Sequence, residues 1–143
     1  TIENALEVSQ AKEFVSKMPS GIEEPISQGG TNVSGGQKQR LSIARALVKN
    51  ADIYIFDDTF SALDYHTDAL LREALNKMVK EKHSTVFIVA QRISSIMHAD
   101  KIIVLDQGKI VGNGTHAELM KNCPVYQEIA YSQLSRKELA VNE

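Results

Sequence analysis

The first half of the chain carries apolar side chains at helical spacing on either side of a loop rich in proline and glycine. Between residues 2 and 18 the spacing of three and four positions predicts one amphipathic helix, which ends before Pro19. Residues 19–33 contain two prolines and three glycines but few large apolar side chains, and therefore predict an ordered loop. A second helix is predicted from residue 34 to about residue 50, with its stripe at Gln37, Leu41, Ala44 and Val48.

Two short apolar runs follow, separated by a longer helical pattern. Residues 53–56 and residues 85–90 are rich in β-branched and aromatic side chains, and such runs are typical of strands that are buried on both faces. Residues 92–99 predict a short helix. The longer helix, residues 65–82, has its apolar stripe at Leu71, Leu75, Met78 and Val79. Strands joined through helices of this length predict an α/β fold with a parallel sheet and right-handed crossovers.

The last part of the chain predicts a hairpin followed by helices. Residues 101–105 and 109–111 predict its two strands, which turn at residues 106–108. From Thr115 onward the pattern is helical, with a break expected at Pro124 and a polar, frayed tail beyond Leu134.

The composition is that of an ordinary globular domain. In 143 residues, 43% of the side chains are hydrophobic and 24% are charged, and the net charge of -2 gives no basic excess that would favour nucleic acid as a partner. Cys123 is the only cysteine, which excludes an intrachain disulfide or thiolate metal cluster and fits a reducing, cytoplasmic setting. Because no apolar run reaches the roughly 20 residues of a membrane helix and no signal-peptide pattern is present, we expect a chain that neither crosses a membrane nor is exported.

The start of the second helix has two interpretations. Ser34 and Gln37 have the spacing of a capping box, in which each side chain bonds the backbone N–H of the other residue. Gly35 and Gly36 in the first turn need a separate reason, because each glycine costs a helix about 1 kcal/mol relative to alanine. A bare backbone lets a phosphate approach the free N–H groups of the helix N-terminus; the other reason is a packing contact too close for side chains.

Polar residues follow the two predicted buried strands. Asp57 and Asp58 end the first strand, and Gln91 follows the second. In parallel α/β sheets, ligands bind at the carboxyl ends of the strands. Adjacent like charges are costly unless a cation is near, so we expect Asp57 to bind Mg²⁺ rather than only to cap the following turn.

Four ordered segments resemble the motifs of ATP-binding cassette (ABC) ATPases. They are Val33 to Leu47 for the signature motif and helix, Ile53 to Asp57 for the Walker B strand, Ser61 to Asp64 for the D-loop, and Ile88 to Arg92 for the switch segment. The resemblance covers residues 1 to about 120 and implies part of a P-loop NTPase fold that binds ATP and Mg²⁺. The nucleotide-binding residues that it implies are Val33, Ser34, Gly35, Gly36, Gln37 and Asp64, and Asp57 is the implied metal ligand.

The same resemblance implies how the chain is organised. Residues 1–50 correspond to the helical subdomain with the signature motif. Residues 51–120 correspond to the C-terminal part of the ATPase core, which holds half of a mainly parallel sheet and the hairpin. Residues 121–143 correspond to a C-terminal helical tail.

Two positions depart from the family pattern. Asp58 stands where the family usually has the glutamate that polarises the attacking water, and a side chain one methylene shorter holds that water poorly. Gln91 stands where the family usually has histidine, and an amide can hydrogen-bond to phosphate but cannot exchange a proton. The resemblance therefore implies that Asp58 and Gln91 are the catalytic positions of a degenerate site, as in heterodimeric exporters. The intact signature would complete the ATP site of a partner nucleotide-binding domain.

The phosphate-wrapping loop of the family has no counterpart in this chain, which contains no Gly-x-x-x-x-Gly-Lys-Ser/Thr sequence. Gly30 and Gly35 have the right separation, but Gly36 and Gln37 follow them instead of lysine and a hydroxyl residue. We therefore expect a C-terminal fragment of the domain that by itself binds ATP weakly or not at all and is inactive as an ATPase.

Two further segments resemble exporter-type ABC proteins. Glu24 to Gly30 is similar to the x-loop, which implies contact with transmembrane domains, although Gln28 replaces a more usual glutamate. Asp106 to Leu119 is similar to the corresponding segment of exporter cassettes. The implied location is the cytoplasmic face of the cell membrane. His66 and His116 are expected to be helix N-terminal or surface residues rather than ligands.

Three alternatives stay open. An SMC-type ATPase would place a long coiled coil just upstream, whereas residues 1–32 contain no sustained heptads. A translation-factor ABC protein is expected to have Asn-His in the D-loop, where this chain has Ser61 and Ala62. A regulatory subunit that holds ATP without hydrolysing it is the third.

Overall fold

The structure is a computed structural model that describes residues 1–133 of the chain. It divides into two compact units, the first comprising Thr1–Val89 and the second starting at Ala90. The division at residues 50 and 120 that the family resemblance implies stays a prediction.

Helices and two parallel strands form the first unit. Its elements are α1 (Ile2–Val8), α2 (Lys12–Ser16), α3 (Gly35–Val48), β1 (Ile53–Asp57), α4 (Tyr65–Lys82) and β2 (Thr85–Val89). The two strands pair in parallel, with Ile53 opposite Thr85 and Asp57 opposite Val89. The predicted α/β arrangement, in which parallel strands are joined through a helix, is confirmed.

The single helix predicted over residues 2–18 is wrong, because the chain breaks it after two turns. Gln10 has a φ of 58°, in the left-handed region, and the N–H of Ala11 donates to the Leu6 carbonyl at 2.8 Å. The buried Ser9 hydroxyl donates to the same carbonyl at 3.2 Å. The apolar spacing continues across the break because α1 and α2 face one core, to which they contribute Ala5, Leu6, Val8, Ala11 and Val15.

The buried face of α3 differs from the predicted stripe. Three of its side chains are at most 5% exposed: Ile43, Ala44 and Leu47. Val48, which the pattern placed in the stripe, is 47% exposed. The packing of α1 along α3 selects the arc that is buried. In α4 the predicted stripe is confirmed by three buried side chains: Leu71, Leu75 and Met78.

A buried ion pair lies in α4 beside this apolar stripe. Asp68 is 0% exposed, and both of its oxygens accept from the Arg72 guanidinium one turn later, at 3.1 Å each. Removing one partner of such a buried pair typically costs about 3–5 kcal/mol, because a charge is left without compensation. Asp68 therefore belongs to the core although its residue type suggests a solvent-exposed position.

The strands are buried on one face only, so the prediction of two buried faces is wrong for the described residues. Tyr54 and Phe56 are each 3% exposed and pack in the core with side chains of the helices. Successive side chains of a strand point to opposite faces. On the other face, four apolar side chains are more than half exposed: Ile53, Ile55, Phe87 and Val89.

The second unit combines an antiparallel hairpin with helices. Its elements are α5 (Ile93–Ile96), β3 (Ile102–Asp106), β4 (Lys109–Gly114), α6 (His116–Asn122) and α7 (Pro124–Gln133). The hairpin turns at Gln107 and Gly108, whose φ values of 47° and 76° suit a two-residue turn. The predicted hairpin and the break at Pro124 are confirmed, because Pro124 opens α7, where no N–H is needed. The tail expected beyond Leu134 lies outside the described residues.

None of the helices within residues 1–133 combines the length and the apolar composition needed to cross a membrane. The longest of them, α4, has 18 residues. Its charged residues, which include Arg72, Glu73 and Lys77, interrupt the apolar pattern along that length.

We expect the exposed strand face to make the 143-residue chain self-associate, because unpaired strand edges and apolar surface favour association. Ile55→Lys, at a position that is 70% exposed, should shift the light-scattering mass toward that of a monomer without lowering thermal stability. Ile2→Lys, at a 53% exposed position of α1, is the matched control and should leave the mass unchanged. A wild-type chain that stays monomeric at high concentration would contradict this expectation.

Candidate functional site

The N-terminus of α3 is closed by a reciprocal capping box. The N–H of Gln37 donates to Ser34 Oγ at 3.2 Å, and the N–H of Ser34 donates to Gln37 Oε1 at 2.9 Å. The Ser34 carbonyl accepts the first helical bond from the N–H of Lys38 at 2.8 Å. The capping-box interpretation of Ser34 and Gln37 is therefore confirmed.

The capping box leaves two donors unused at the tip of the helix. Within residues 1–133, the N–H groups of Gly35 and Gly36 have no hydrogen-bond acceptor. They open a helix of 14 residues, and the dipole of a helix places about half a positive charge at this end. Capping and anion binding are thus compatible uses of one turn, and the tip is suited to a phosphate.

The two glycines lack side chains for different reasons. A Cβ on Gly36 would lie 3.2 Å from the carbonyl oxygen of Ala62, closer than a Cβ atom normally comes to another heavy atom. A Cβ on Gly35 would lie 3.8 Å from the Ala62 Cβ, which is an ordinary contact. Packing therefore accounts for Gly36, whereas Gly35 keeps the tip of the helix bare without a packing reason.

Two exposed carboxylates stand where β1 ends. Asp57 is the last residue of the strand and pairs with Val89 of β2. The N–H of Asp58 donates to the Val89 carbonyl at 3.1 Å, but its φ of 48° then turns the chain out of the ladder. A left-handed backbone is strained for a residue with a side chain, although aspartate is among the more tolerant types. Asp57 and Asp58 lie at the carboxyl edge of the strand pair, where the sequence predicts them.

The loop after Asp58 is tied to α3 by Gln39, which sequence reasoning missed. Gln39 Oε1 accepts from the N–H of Ala62 at 3.0 Å, and Gln39 Nε2 donates to Ser61 Oγ at 3.2 Å. Ser61 Oγ in turn donates to the Asp58 carbonyl at 3.0 Å. The sequence carries no signal for these contacts, although Gln39 lies three residues after Gly36 and hence on the same helix face.

Asp64 is the N-cap of α4. Its Oδ1 accepts from the N–H of Thr67 at 2.9 Å, and its Oδ2 accepts from the Thr67 hydroxyl at 2.7 Å. These bonds, the backbone one above all, hold the pKa of Asp64 below its usual value. Both carboxylate oxygens are engaged in capping, and a nucleotide-binding role for Asp64 stays a prediction.

Gln91 lies in the second unit, two residues beyond β2, and is exposed. Gln133 of α7 fixes the backbone at this point, because its Nε2 donates to the Gln91 carbonyl at 2.8 Å. Its Oε1 accepts from the N–H of Ile93 at 2.9 Å. The backbone of the switch segment is thus held by α7, and this second glutamine clamp also had no sequence signal.

The two histidines open helices, as predicted, but only His66 is at the surface. His116 is the first residue of α6 and is 4% exposed, with its Nδ1 2.7 Å from the Tyr126 hydroxyl. Burial, assisted by the nearby His98, lowers the pKa of His116, and burial raises the pKa of Tyr126 to about 12. His116 is therefore a core side chain of the second unit, because its packing against Tyr126 excludes water from both rings.

The loop between α2 and α3 contains two 3₁₀ turns, Gly21–Glu23 and Gln28–Gly30, and the second of them lies within the predicted x-loop. The N–H of Ser27 donates to Asn32 Oδ1 at 3.0 Å. Lys38 Nζ donates to the Gly29 carbonyl at 2.9 Å, which fastens the segment to the first turns of α3. Ile26 is 46% exposed, so the segment presents an apolar side chain to its surroundings.

The described residues fit Mg²⁺ and ATP phosphates at two separate places. Mg²⁺ takes one or two carboxylates besides waters and phosphate oxygens, and Asp57 and Asp58 offer them in exposed positions. No cluster of three or more His, Cys, Asp or Glu residues suited to a metal occurs within residues 1–133. The Asp57 and Asp58 carboxylates therefore suit a metal ion whose remaining ligands are phosphate and water. The free N–H groups of Gly35 and Gly36 offer donors to a phosphate.

Known proteins have sequences similar to this chain. The family model described as "ABC transporter" matches residues 2–61. An ABC transporter ATP-binding protein of Mycobacterium tuberculosis is 50% identical over 129 residues, which cover 90% of this chain and 22% of that protein. The ATP-dependent lipid A-core flippase of Photobacterium profundum is 43% identical over 135 residues, covering 94% of this chain and 22% of the flippase.

A solved structure has the same fold. A bacterial Atm1-family ABC exporter with ATP bound matches with a TM-score of 0.88 at 33% identity, over 94% of this chain and 24% of that chain. The P-loop NTPase fold implied by the signature and Walker B segments is therefore confirmed, with its parallel strands and hairpin. The chain spans between 22% and 24% of the length of these relatives.

Alanine at each glycine of the first turn separates packing from helix propensity. We expect Gly36→Ala to lower the free energy of unfolding by about 1–3 kcal/mol, because its Cβ would press on the Ala62 carbonyl. Gly35→Ala should raise it by up to about 1 kcal/mol, since its Cβ finds room and alanine favours the helix. Urea unfolding of both variants measures the difference. Equal effects would show that the two glycines share one role.

Proposed function

Because this chain belongs to the ABC transporter family, we propose that it forms part of the nucleotide-binding domain of an exporter and couples ATP binding and hydrolysis to transport. A flippase and an Atm1-family exporter among its relatives support the exporter class. The relatives named above are ABC transporter proteins, which favours the membrane-linked proposal over the SMC-type and translation-factor alternatives.

The observation that carries the proposal is the bare tip of α3. Two N–H groups that have no acceptor within residues 1–133, those of Gly35 and Gly36, lie at the positive end of this 14-residue helix. Ser34 and Gln37 are engaged with each other in the capping box, so they hold the turn open without occupying the donors. In the proposed dimer this turn, with Val33 just before it, binds the phosphates of an ATP molecule that lies on the partner domain.

We further propose that the carboxylates of this chain form a different, weaker ATP site. Asp57 would hold Mg²⁺, which when bound neutralises charge on the phosphates. Asp58 would orient the attacking water, but its side chain is one methylene shorter than glutamate, and a misplacement of about 1 Å can cost about 100-fold in rate. Gln91 would donate a hydrogen bond to phosphate without exchanging a proton. Turnover would then depend on the partner's site, completed by the signature turn.

The partners that follow from this proposal are a second, different nucleotide-binding domain and the transmembrane domains of the exporter. The x-loop supports the second contact, because Ile26 is exposed there while Lys38 ties the loop to the signature helix. The Lys38 side chain would thereby transmit a movement of the α3 tip to the x-loop. Assembly with transmembrane domains would place the chain at the cytoplasmic face of the membrane.

Gly35→Asp in the assembled transporter tests the signature site. The new carboxylate would occupy the anion position, so we expect the ATPase rate to fall by at least about tenfold, which corresponds to about 1.4 kcal/mol. Folding should be preserved, because an acidic residue in the first turn interacts favourably with the helix dipole. Gly35→Asn, of the same size but uncharged, is the matched control and should retain more activity. An ATPase rate unchanged in Gly35→Asp would rule out phosphate binding at this turn.

Asp58→Glu combined with Gln91→His tests the degeneracy of the chain's own site. Restoring the residues that the family pattern has at both positions should raise the ATPase rate of the assembled transporter severalfold, because a second site becomes competent. The single variants should give smaller increases, since the effects of groups that serve one reaction are not additive. An unchanged rate would indicate that inactivity lies elsewhere and would favour a regulatory subunit that holds ATP without turnover.

A further inference from the structure

The side-chain amide of Gln39 joins the signature helix to the loop that follows the catalytic-position carboxylate. It accepts from the N–H of Ala62 at 3.0 Å and donates to Ser61 Oγ at 3.2 Å. The same Nε2 lies 3.5 Å from the Asp58 carbonyl oxygen. One planar amide therefore contacts three successive parts of a short loop, with its acceptor and its donor both used.

The loop is a segment whose conformation needs support. Asp58 has a φ of 48°, a left-handed backbone that is unfavourable for a residue with a side chain and persists only where the surroundings hold it. The Asp58 carbonyl accepts from Ser61 Oγ at 3.0 Å, which closes the turn locally. Because Gln39 Nε2 donates to the Ser61 hydroxyl, Gln39 also orients the group that bonds the Asp58 carbonyl.

Two residues of α3, Gly36 and Gln39, lie against Ala62. Gln39 binds the N–H of Ala62, and the Ala62 carbonyl oxygen lies where a Cβ on Gly36 would be only 3.2 Å away. Gln39 and Gly36 are three residues apart and so share one face of α3. The free N–H groups of the helix tip and the backbone of the Asp58 loop are thus held at a fixed spacing by neighbouring residues of one helix.

We infer that Gln39 is a positioning residue, which holds the signature turn and the Asp58 loop in register so that a displacement of either is passed to the other. The inference rests on the proposed function, since that function assigns phosphate binding at the partner's ATP site to the helix tip and the chain's own weaker site to the loop. Within residues 1–133, none of the hydrogen bonds of Gln39 involves Asp57, the proposed metal ligand, or the N–H groups of the tip. Its loss should therefore reduce the rate of turnover more than the affinity for ATP.

Two substitutions in the assembled transporter test this role. Gln39→Met keeps the length and helix propensity of the side chain but removes all of its hydrogen bonds, and we expect kcat for ATP to fall about tenfold with KM changed less than about twofold. Gln39→Glu keeps an acceptor for the Ala62 N–H but cannot donate, so it should recover part of the loss. Arg45→Met, at an exposed position of the same helix, is the control and should leave kcat unchanged.

Hydrogen exchange on the 143-residue chain separates this inference from the proposed function, because it needs no nucleotide. Exchange of the Ala62 amide should speed up in Gln39→Met and much less in Gln39→Glu. Unchanged exchange in Gln39→Met, or an unchanged kcat, would overturn the positioning role. A fall in kcat accompanied by a rise in KM of similar size and by a loss of thermal stability would also overturn it, because that pattern marks a merely structural residue. When the Gln39 variants overturn the positioning role, Gly35→Asp shows whether the proposed function fails with it. If Gly35→Asp leaves the ATPase rate unchanged, both fail; if Gly35→Asp abolishes the rate, only the inference about Gln39 fails.

Discussion

The first turn of α3 lies so close to the loop that follows β1 that a methyl group at one position would press on the backbone of the loop. The Ala62 carbonyl oxygen would be 3.2 Å from a Cβ on Gly36, and the Gln39 amide binds the neighbouring N–H. This close approach fixes the helix tip beside the carboxyl end of the strand. The positions of the capping box, of the free N–H groups and of Asp58 all depend on it.

The first turn of α3 can be capped and can bind an anion at the same time, because the two roles use different atoms. Side chains make the capping box, since Ser34 and Gln37 satisfy each other's backbone N–H groups. In the proposed function the backbone supplies the donors for an anion, and these are the N–H groups that the capping box does not reach. A helix N-terminus has more N–H groups than one pair of side chains can satisfy. The turn can therefore be rigid before any ligand arrives, which lowers the entropic cost of binding.

Polar groups in the interior stabilise the elements that carry the candidate site. The Asp68–Arg72 pair is bidentate and fully enclosed on the carboxylate side, so it fixes a side chain within α4 next to the apolar stripe. Asp64 caps the same helix from its N-terminus. The segment between β1 and α4 is thus held by Gln39 at Ser61 and Ala62 and by Asp64 at its end. The left-handed backbone of Asp58 is held within this short, well-bonded connection.

The sequence by itself determined the elements and the chemical character of the site. Periodicity predicted the strands, the hairpin and the helices over residues 65–82 and 34–50, because local spacing alone decides which face of an element is apolar. Motif spacing predicted the carboxylates at the end of β1 and the capping box at Ser34. These features depend on residues close together in the chain, which is why they can be read without the fold.

Only the tertiary structure decided which groups meet across the chain. The break at Gln10 follows from two short helices facing one core, and the arc of α3 that is buried follows from its packing on α1. The exposure of Ile55 follows from helices that cover one side of the strand pair. Gln39 binds Ala62 from 23 residues away, and a glutamine on a helix surface carries no signal for such a contact. The contact forms because the chain brings the loop after β1 back to α3, and packing rather than local sequence sets that path.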